Sequence, residues 1–104
     1  MAFDGTESNP ISEENAAAWT RNHRAANPEH TQSHFFGRDM LLKILKQEEC
    51  QGIRFYYGLN EDGPLLLAVG VDGHEDDQLG KTRLIADEAP KGPPRSGQAS
   101  ILNS

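Results

Sequence analysis

Two apolar runs that flank a turn, between residues 53 and 71, constrain the fold of this chain more than any other feature. Residues 53–59 alternate with a period of two, as the residues of a half-buried strand do. Residues 60–63 (Asn-Glu-Asp-Gly) have the composition of a tight turn, and residues 65–71 return from it. The pattern therefore predicts a β-hairpin with one buried face. The residues predicted to point inward are Ile53, Phe55, Tyr57, Leu59, Leu65, Leu67, Val69 and Val71.

Two helices and a third strand are predicted around this hairpin. Ser12, followed by two glutamates, is typical of a helix start. The helix ends before Pro28, because the residue that precedes a proline avoids the α region. Residues 38–48 carry an apolar stripe at helical spacing, and residues 81–86 can add an antiparallel strand. The predicted fold class is α+β, with two helices packed on one face of a three-stranded antiparallel β-meander.

The chain is predicted to hold one domain with a looser segment at each end. Its 104 residues suit a single hydrophobic core. Residues 1–10 read as a polar N-terminal arm and residues 11–88 as the α+β domain. Residues 89–104 form a tail rich in Pro and Gly, which is expected to be extended or disordered in isolation.

Charge and composition argue against several classes of protein. The net charge of −6 opposes non-specific binding of nucleic acid. The single cysteine, Cys50, cannot form an intramolecular disulfide. No apolar run approaches the ~18 residues of a membrane span, and the N-terminus has no apolar signal segment. We therefore expect neither nucleic acid nor membrane as a partner, and a cytoplasmic location by default, with leaderless export left open.

Residues 72–77 (Asp-Gly-His-Glu-Asp-Asp) form an acidic loop after the hairpin. Carboxylate oxygens are the ligands that Ca²⁺ prefers, so this loop is a candidate cation site, although its spacing does not match an EF-hand. The alternative is a solvated loop whose charges keep the strand end from pairing with other chains. The candidate metal ligands are Asp72, His74, Asp76 and Asp77.

Arg54 and Tyr56 lie on the strand face opposite the predicted core residues. If both helices cover one face of the sheet, these two side chains are exposed, next to Leu66 on the neighbouring strand. Arg, Tyr and Leu on a flat sheet face suit a protein–protein contact. The alternative is that another segment of the same chain covers this face. Arg54, Tyr56 and Leu66 are therefore the candidate interface residues.

The favoured function is that of a non-enzymatic protein-interaction or self-assembly subunit, whose partner is a protein and can be a second copy of the chain. Hydrolase elbows, phosphate-binding loops and dinucleotide fingerprints are missing from the sequence, which argues against an enzyme. Two alternatives stay open. One is a small ligand- or metal-binding module that uses residues 72–77, and the other is an enzyme accessory protein.

The hairpin also carries a resemblance to other proteins. The run Cys50-Gln51-Gly52-Ile53-Arg54-Phe55-Tyr56-Tyr57-Gly58, with Val69-Gly70-Val71-Asp72 after it, resembles a group of small bacterial proteins that share a C-x-G-I-R-x-Y-x-G strand and a V-G-V-D motif. The resemblance covers about residues 11–96. Members of the group often carry cysteines beside a Pro-Pro pair, whereas residues 92–96 here contain none. The group has no assigned activity, so the resemblance implies no function.

Overall fold

The computed structural model describes residues 2–103. These residues form two compact units: the first joins residues 2–7 with Phe36–Ala89, and the second joins Ser8–Phe35 with residues 90–103. This division differs from the predicted arm, domain and tail with boundaries at 10/11 and 88/89. In chain order the elements are α1 (Glu13–Ala26), β1 (Ser33–His34), α2 (Arg38–Leu45), β2 (Cys50–Asn60), β3 (Gly63–Asp72), β4 (Ile85–Ala86) and β5 (Lys91–Gly92).

The α+β class and the three-stranded antiparallel sheet are confirmed. The first unit contains the sheet, in the order β2-β3-β4, and α2 packs against β2 and β3. Of the two helices that were expected on this sheet, α1 instead belongs to the second unit. No helix within residues 2–103 combines the length and the apolar content that a bilayer crossing needs.

The register of the hairpin corrects the predicted set of inward-facing residues. Asn60 pairs with Gly63 across the turn, and the pairs keep this alignment down to Ile53 with Gly70. Odd-numbered residues of β2 therefore oppose even-numbered residues of β3, whereas the prediction joined odd with odd. Directly opposed residues share a face of the sheet. A difference of one residue moves every β3 side chain to the other face. The prediction that these side chains share the face of Ile53 and Phe55 was therefore wrong. The predicted burial of Val69 and Val71 is confirmed, since each is 3% exposed.

The core lies on the face of the sheet that carries Ile53 and Phe55. Ile44 of α2 has no exposed surface, and the Phe36 ring lies against the Phe55 ring with 5.2 Å between the centroids. Small side chains of β3 and β4 let the helix approach the sheet closely, which favours dense packing. The packed residues are Ile44, Ala68, Ala86, Phe36, Cys50 and Ile53.

The second unit combines α1 with the short strands β1 and β5. Ser12 caps α1 as the sequence predicts, because its hydroxyl oxygen accepts a hydrogen bond from the Asn15 N–H at 3.0 Å. The helix ends at Ala26, and its C-cap Asn27 is the residue before Pro28. β1 pairs antiparallel with β5, Ser33 opposite Gly92, so that part of the predicted C-terminal tail is a strand in this structure.

A polar cluster joins the end of α2 to the segment that follows β3. Gln78 is 5% exposed, and its Nε2 donates to the Glu48 carbonyl at 2.8 Å. The Gln47 Oε1 accepts from the Leu84 N–H at 2.8 Å. Both amides crowd Gly70, since a Cβ there would lie 2.7 Å from the Gln78 Oε1 and 2.9 Å from the Gln47 Nε2. A Cβ at this position of β3 would therefore force the two amides to move.

We expect Gly70→Ala to lower the free energy of unfolding by about 1–3 kcal/mol, because the new methyl group displaces hydrogen-bonded amides from a packed site. Urea denaturation followed by circular dichroism measures the change. Gly52→Ala is the matched control, since a Cβ at Gly52 meets no atom within 4 Å in the described structure. Equal stability of the two variants would contradict this account of Gly70.

Candidate functional site

The outer part of the hairpin, residues 55–67, extends beyond the rest of the sheet, and we call it the distal hairpin. β4 pairs only with Ala68 and Val69, so the strand order leaves β3 without an outer neighbour from Leu67 to the turn within the described part of the chain. β2 is the terminal strand on the other side. The distal hairpin is therefore a two-stranded ribbon with two open edges.

Large apolar side chains of β2 are exposed along this ribbon. Tyr57 is 94% exposed, Leu59 80%, Phe55 46% and Tyr56 44%. The register places Tyr57 beside Leu66 on one face and Tyr56 beside Leu67 on the other. Both faces are thus apolar, a pattern typical of strands covered on both sides.

An isolated two-stranded hairpin is marginally stable in water and normally gains stability from a third strand or a packed helix. Phe36, which precedes α2, supplies such packing at Phe55, the first residue of the distal hairpin. Exposed apolar surface that continues over neighbouring residues is a common mark of a binding surface. The distal hairpin is therefore the candidate functional site of this chain.

The predicted interface residues do not share one face. Arg54 and Tyr56 lie on the same face, but Leu66 opposes Tyr57 and lies on the other. The expectation of one shared face was wrong because it assumed a different strand register, whereas the interface role of these residues stays a prediction. Tyr56 and Leu66 belong to the distal hairpin all the same, whereas Arg54 lies next to its base.

Arg54 is held by residues of its own chain rather than presented freely. Its guanidinium lies 2.6 Å from the Asp77 carboxylate, and the two side chains are 34% and 22% exposed. The Tyr56 hydroxyl donates to the other oxygen of the same carboxylate. Hydrogen bonds to Tyr56 and then Asp77 raise the pKa of Arg54 above its ordinary value, which keeps it charged. We call these three side chains the clamp.

The N-terminal residues add to this covering of Arg54. The Phe3 ring lies 6.0 Å from the centre of the guanidinium, within the range of a cation–π contact. The Phe3 N–H donates to the Gly73 carbonyl at 3.0 Å. The alternative stated from the sequence, that another segment of the chain covers this face, therefore applies at Arg54. Tyr57 and Leu59 lie on the opposite face of β2 and are exposed, so this covering does not reach them.

The acidic loop is organised by hydrogen bonds of its own. The Asp72 carboxylate accepts from the His74 N–H at 2.8 Å and from the Asp76 N–H at 3.1 Å, while Asp77 points to Arg54. Across residues 2–103, no three His, Cys, Asp or Glu side chains are grouped so that they could hold a metal ion. Binding of Ca²⁺ by this loop stays a prediction from the sequence.

Sequence reasoning missed Asp77 as the partner of Arg54. A signal was present, because Arg54 is the only lysine or arginine between residues 47 and 80, a stretch rich in acids. A lone cation on a strand pairs with a nearby carboxylate when the fold allows it. The sequence does not say which of the acids reaches it, because that depends on how the loop folds back beside β3.

We expect Asp77→Ala to loosen the loop without unfolding the sheet, because it removes both clamp contacts of the carboxylate. Amide hydrogen exchange at Asp72, whose N–H donates to the Asp76 carbonyl at 3.0 Å, should become roughly three- to tenfold faster. Asp76→Ala is the control, since the exposed Asp76 lies outside the clamp. Equal exchange rates in both variants would show that the clamp does not hold the loop.

Comparison with protein-family models, with curated proteins and with solved structures finds no match to this chain. Its function is therefore inferred from the distal hairpin and its surroundings.

Proposed function

We propose that this protein is a non-enzymatic subunit that associates with a second copy of itself through the distal hairpin. The observation that carries the proposal is the exposure of Tyr57 and Leu59, at 94% and 80%, on a strand with an open edge. Contact with water is unfavourable for such surface by about 25 cal/mol per Å². Burial of these side chains against a partner therefore supplies a driving force for association.

The exposed area approaches that of the smallest specific interfaces. An aromatic side chain buries about 150–250 Å² when it is fully covered. With the fractional exposures of Phe55, Tyr56, Tyr57 and Leu59, the apolar area available on β2 is on the order of 500 Å² per copy. Two copies together would bury about 1,000 Å², which is the lower bound for a specific interface. Contacts from β3, through Leu66, add to this area.

The open edge of β2 also lacks the features that keep exposed edges from pairing. Monomeric proteins place lysines, prolines or inward-pointing charges on such strands. β2 contains no lysine and no proline, and its single charged residue, Arg54, is paired with Asp77. The acids of the turn, Glu61 and Asp62, lie at the end of the strand rather than along it. This edge is therefore available for strand addition.

We favour a second copy over an unrelated protein as the partner, because it carries the same apolar ribbon and the same open edge. Closed association through a twofold axis is the commonest arrangement of soluble homo-oligomers. Each copy then adds a strand to the open β2 edge of the other, so that both of these edges are paired in the assembly. The net charge of −6 on each chain sets a modest repulsion, which salt screens.

We expect the native chain to form dimers in sedimentation velocity at protein concentrations of roughly 1–200 µM. This range is chosen because small interfaces have Kd values on the order of micromolar. The double variant Tyr57→Lys, Leu59→Lys should weaken the dimer at least tenfold, because association would bury four ammonium groups in the complex. Neither lysine should unfold the chain, since both native side chains are largely exposed.

Leu79→Lys is the matched control, because Leu79 is 62% exposed but lies outside the distal hairpin. It should leave the dimer unchanged. A native chain that stays monomeric throughout this range would overturn self-association. A dimer that survives the double lysine variant would show that another surface holds the copies together.

A further inference from the structure

The hydrogen-bond pattern of the sheet identifies which backbone groups of β2 face the open edge. The Gly70 carbonyl accepts from the Gln78 N–H at 2.8 Å, and the Asp72 N–H donates to the Asp76 carbonyl at 3.0 Å. The backbone N–H and C=O groups of Gly70 and Asp72 therefore point away from β2. Backbone groups alternate in direction along an antiparallel strand. The backbone N–H and C=O groups of Val69 and Val71 therefore point towards β2.

The register transfers this alternation to β2. Arg54 opposes Val69, so the N–H and C=O of residues 54, 56 and 58 face β3. Leu59 opposes Pro64, which has no N–H, in agreement with a pair that exchanges no hydrogen bonds. The open edge of β2 then presents the N–H and C=O of Ile53, Phe55, Tyr57 and Leu59.

A twofold axis perpendicular to the sheet strongly restricts how two such edges can pair. The axis keeps each side chain on its own face, so paired residues must both be odd-numbered or both be even-numbered. The register in which Tyr56 opposes Tyr56 of the second copy joins Ile53 to Leu59 and Phe55 to Tyr57. All four open residues of each copy are then hydrogen-bonded across the edge.

The side chains fit this register as well. On one face, aromatic Phe55 meets aromatic Tyr57 and aliphatic Ile53 meets aliphatic Leu59, which are favourable cross-strand pairs. On the other face, Arg54 meets Gly58, so the two arginines do not oppose each other. A register centred on Tyr57 would instead place Ile53 opposite Glu61 of the turn. A register centred on Phe55 would bring in residue 51, at the β-bulge between Cys50 and Gly52.

We propose, building on the proposed function, that two copies pair β2 with β2 antiparallel about a twofold axis beside Tyr56. The two three-stranded sheets become one sheet of six strands, in the order β4-β3-β2-β2-β3-β4. The axis places both α2 helices on the same face of this sheet. The occupant of the open edge is thus the same strand of the second copy.

Disulfide trapping tests the register. In the paired sheet the two copies of residue 56 form a pair without hydrogen bonds, whose Cα atoms lie ~4.5 Å apart, within the range of a disulfide. The two copies of residue 57 are diagonal neighbours at roughly 7–8 Å, beyond that range. In a Cys50→Ser background, Tyr56→Cys should therefore form a covalent dimer in glutathione buffer at least tenfold faster than Tyr57→Cys.

A spin label at the turn gives a second measurement that does not alter the edge. In the same background, Glu61→Cys carries a nitroxide on an exposed turn residue. The proposed register separates the two labels by ten residue steps, or roughly 33 Å. Registers centred on Tyr57 or Phe55 predict roughly 27 Å or 40 Å instead. Electron–electron double resonance distinguishes these distances.

The outcomes separate this inference from the proposed function. Rapid trapping at residue 56 with a label distance near 33 Å supports the proposed pairing. Preferred trapping at residue 57, or a distance near 27 or 40 Å, overturns the register while self-association stands. A dimer that traps at neither position uses another surface, which overturns the edge pairing. A monomeric native chain overturns both proposals.

Discussion

The alignment of β2 with β3 is the constraint on which the rest of this structure depends. Asn60 and Gly63 pair directly across a two-residue connection, and this choice sets the partner of every residue down both strands. It places Phe55 and Ala68 together under α2, and it leaves Tyr57 and Leu66 together beyond the helix. A shift by one residue would expose the core side chains of β3.

The two faces of the sheet are covered in different ways. One face receives a helix, and its core is built from Ile44 and small side chains that allow close approach. On the other face, a charged clamp joins Arg54 to the loop after β3. The packing around Phe55 and the clamp at Arg54 and Tyr56 do not extend to Tyr57 and Leu59. The apolar ribbon therefore lacks the third layer or third strand that stabilises most hairpins.

This uneven covering separates the packed part of the sheet from the part on which the proposed self-association rests. The covered half of the sheet belongs to the first unit. The side chains of Gln47 and Gln78 pack against it at Gly70. The uncovered half presents apolar side chains and open backbone groups to any strand that matches them. In the proposed register about Tyr56, the edge of β2 is complementary to itself, so the strand that builds the hairpin is also its proposed partner.

Features that depend on neighbouring residues could be predicted from the sequence: the hairpin, its turn, the Ser12 cap, the end of α1 before Pro28 and the α+β class. Side-chain alternation and capping act within a few residues, so a single chain reveals them. Three features became known only from the three-dimensional structure: the matching of odd-numbered β2 residues with even-numbered β3 residues, the grouping of α1 with β5 and the pairing of Arg54 with Asp77. These depend on hydrogen bonds and charges between segments far apart in the chain, and local propensity carries no information about which distant partner is chosen.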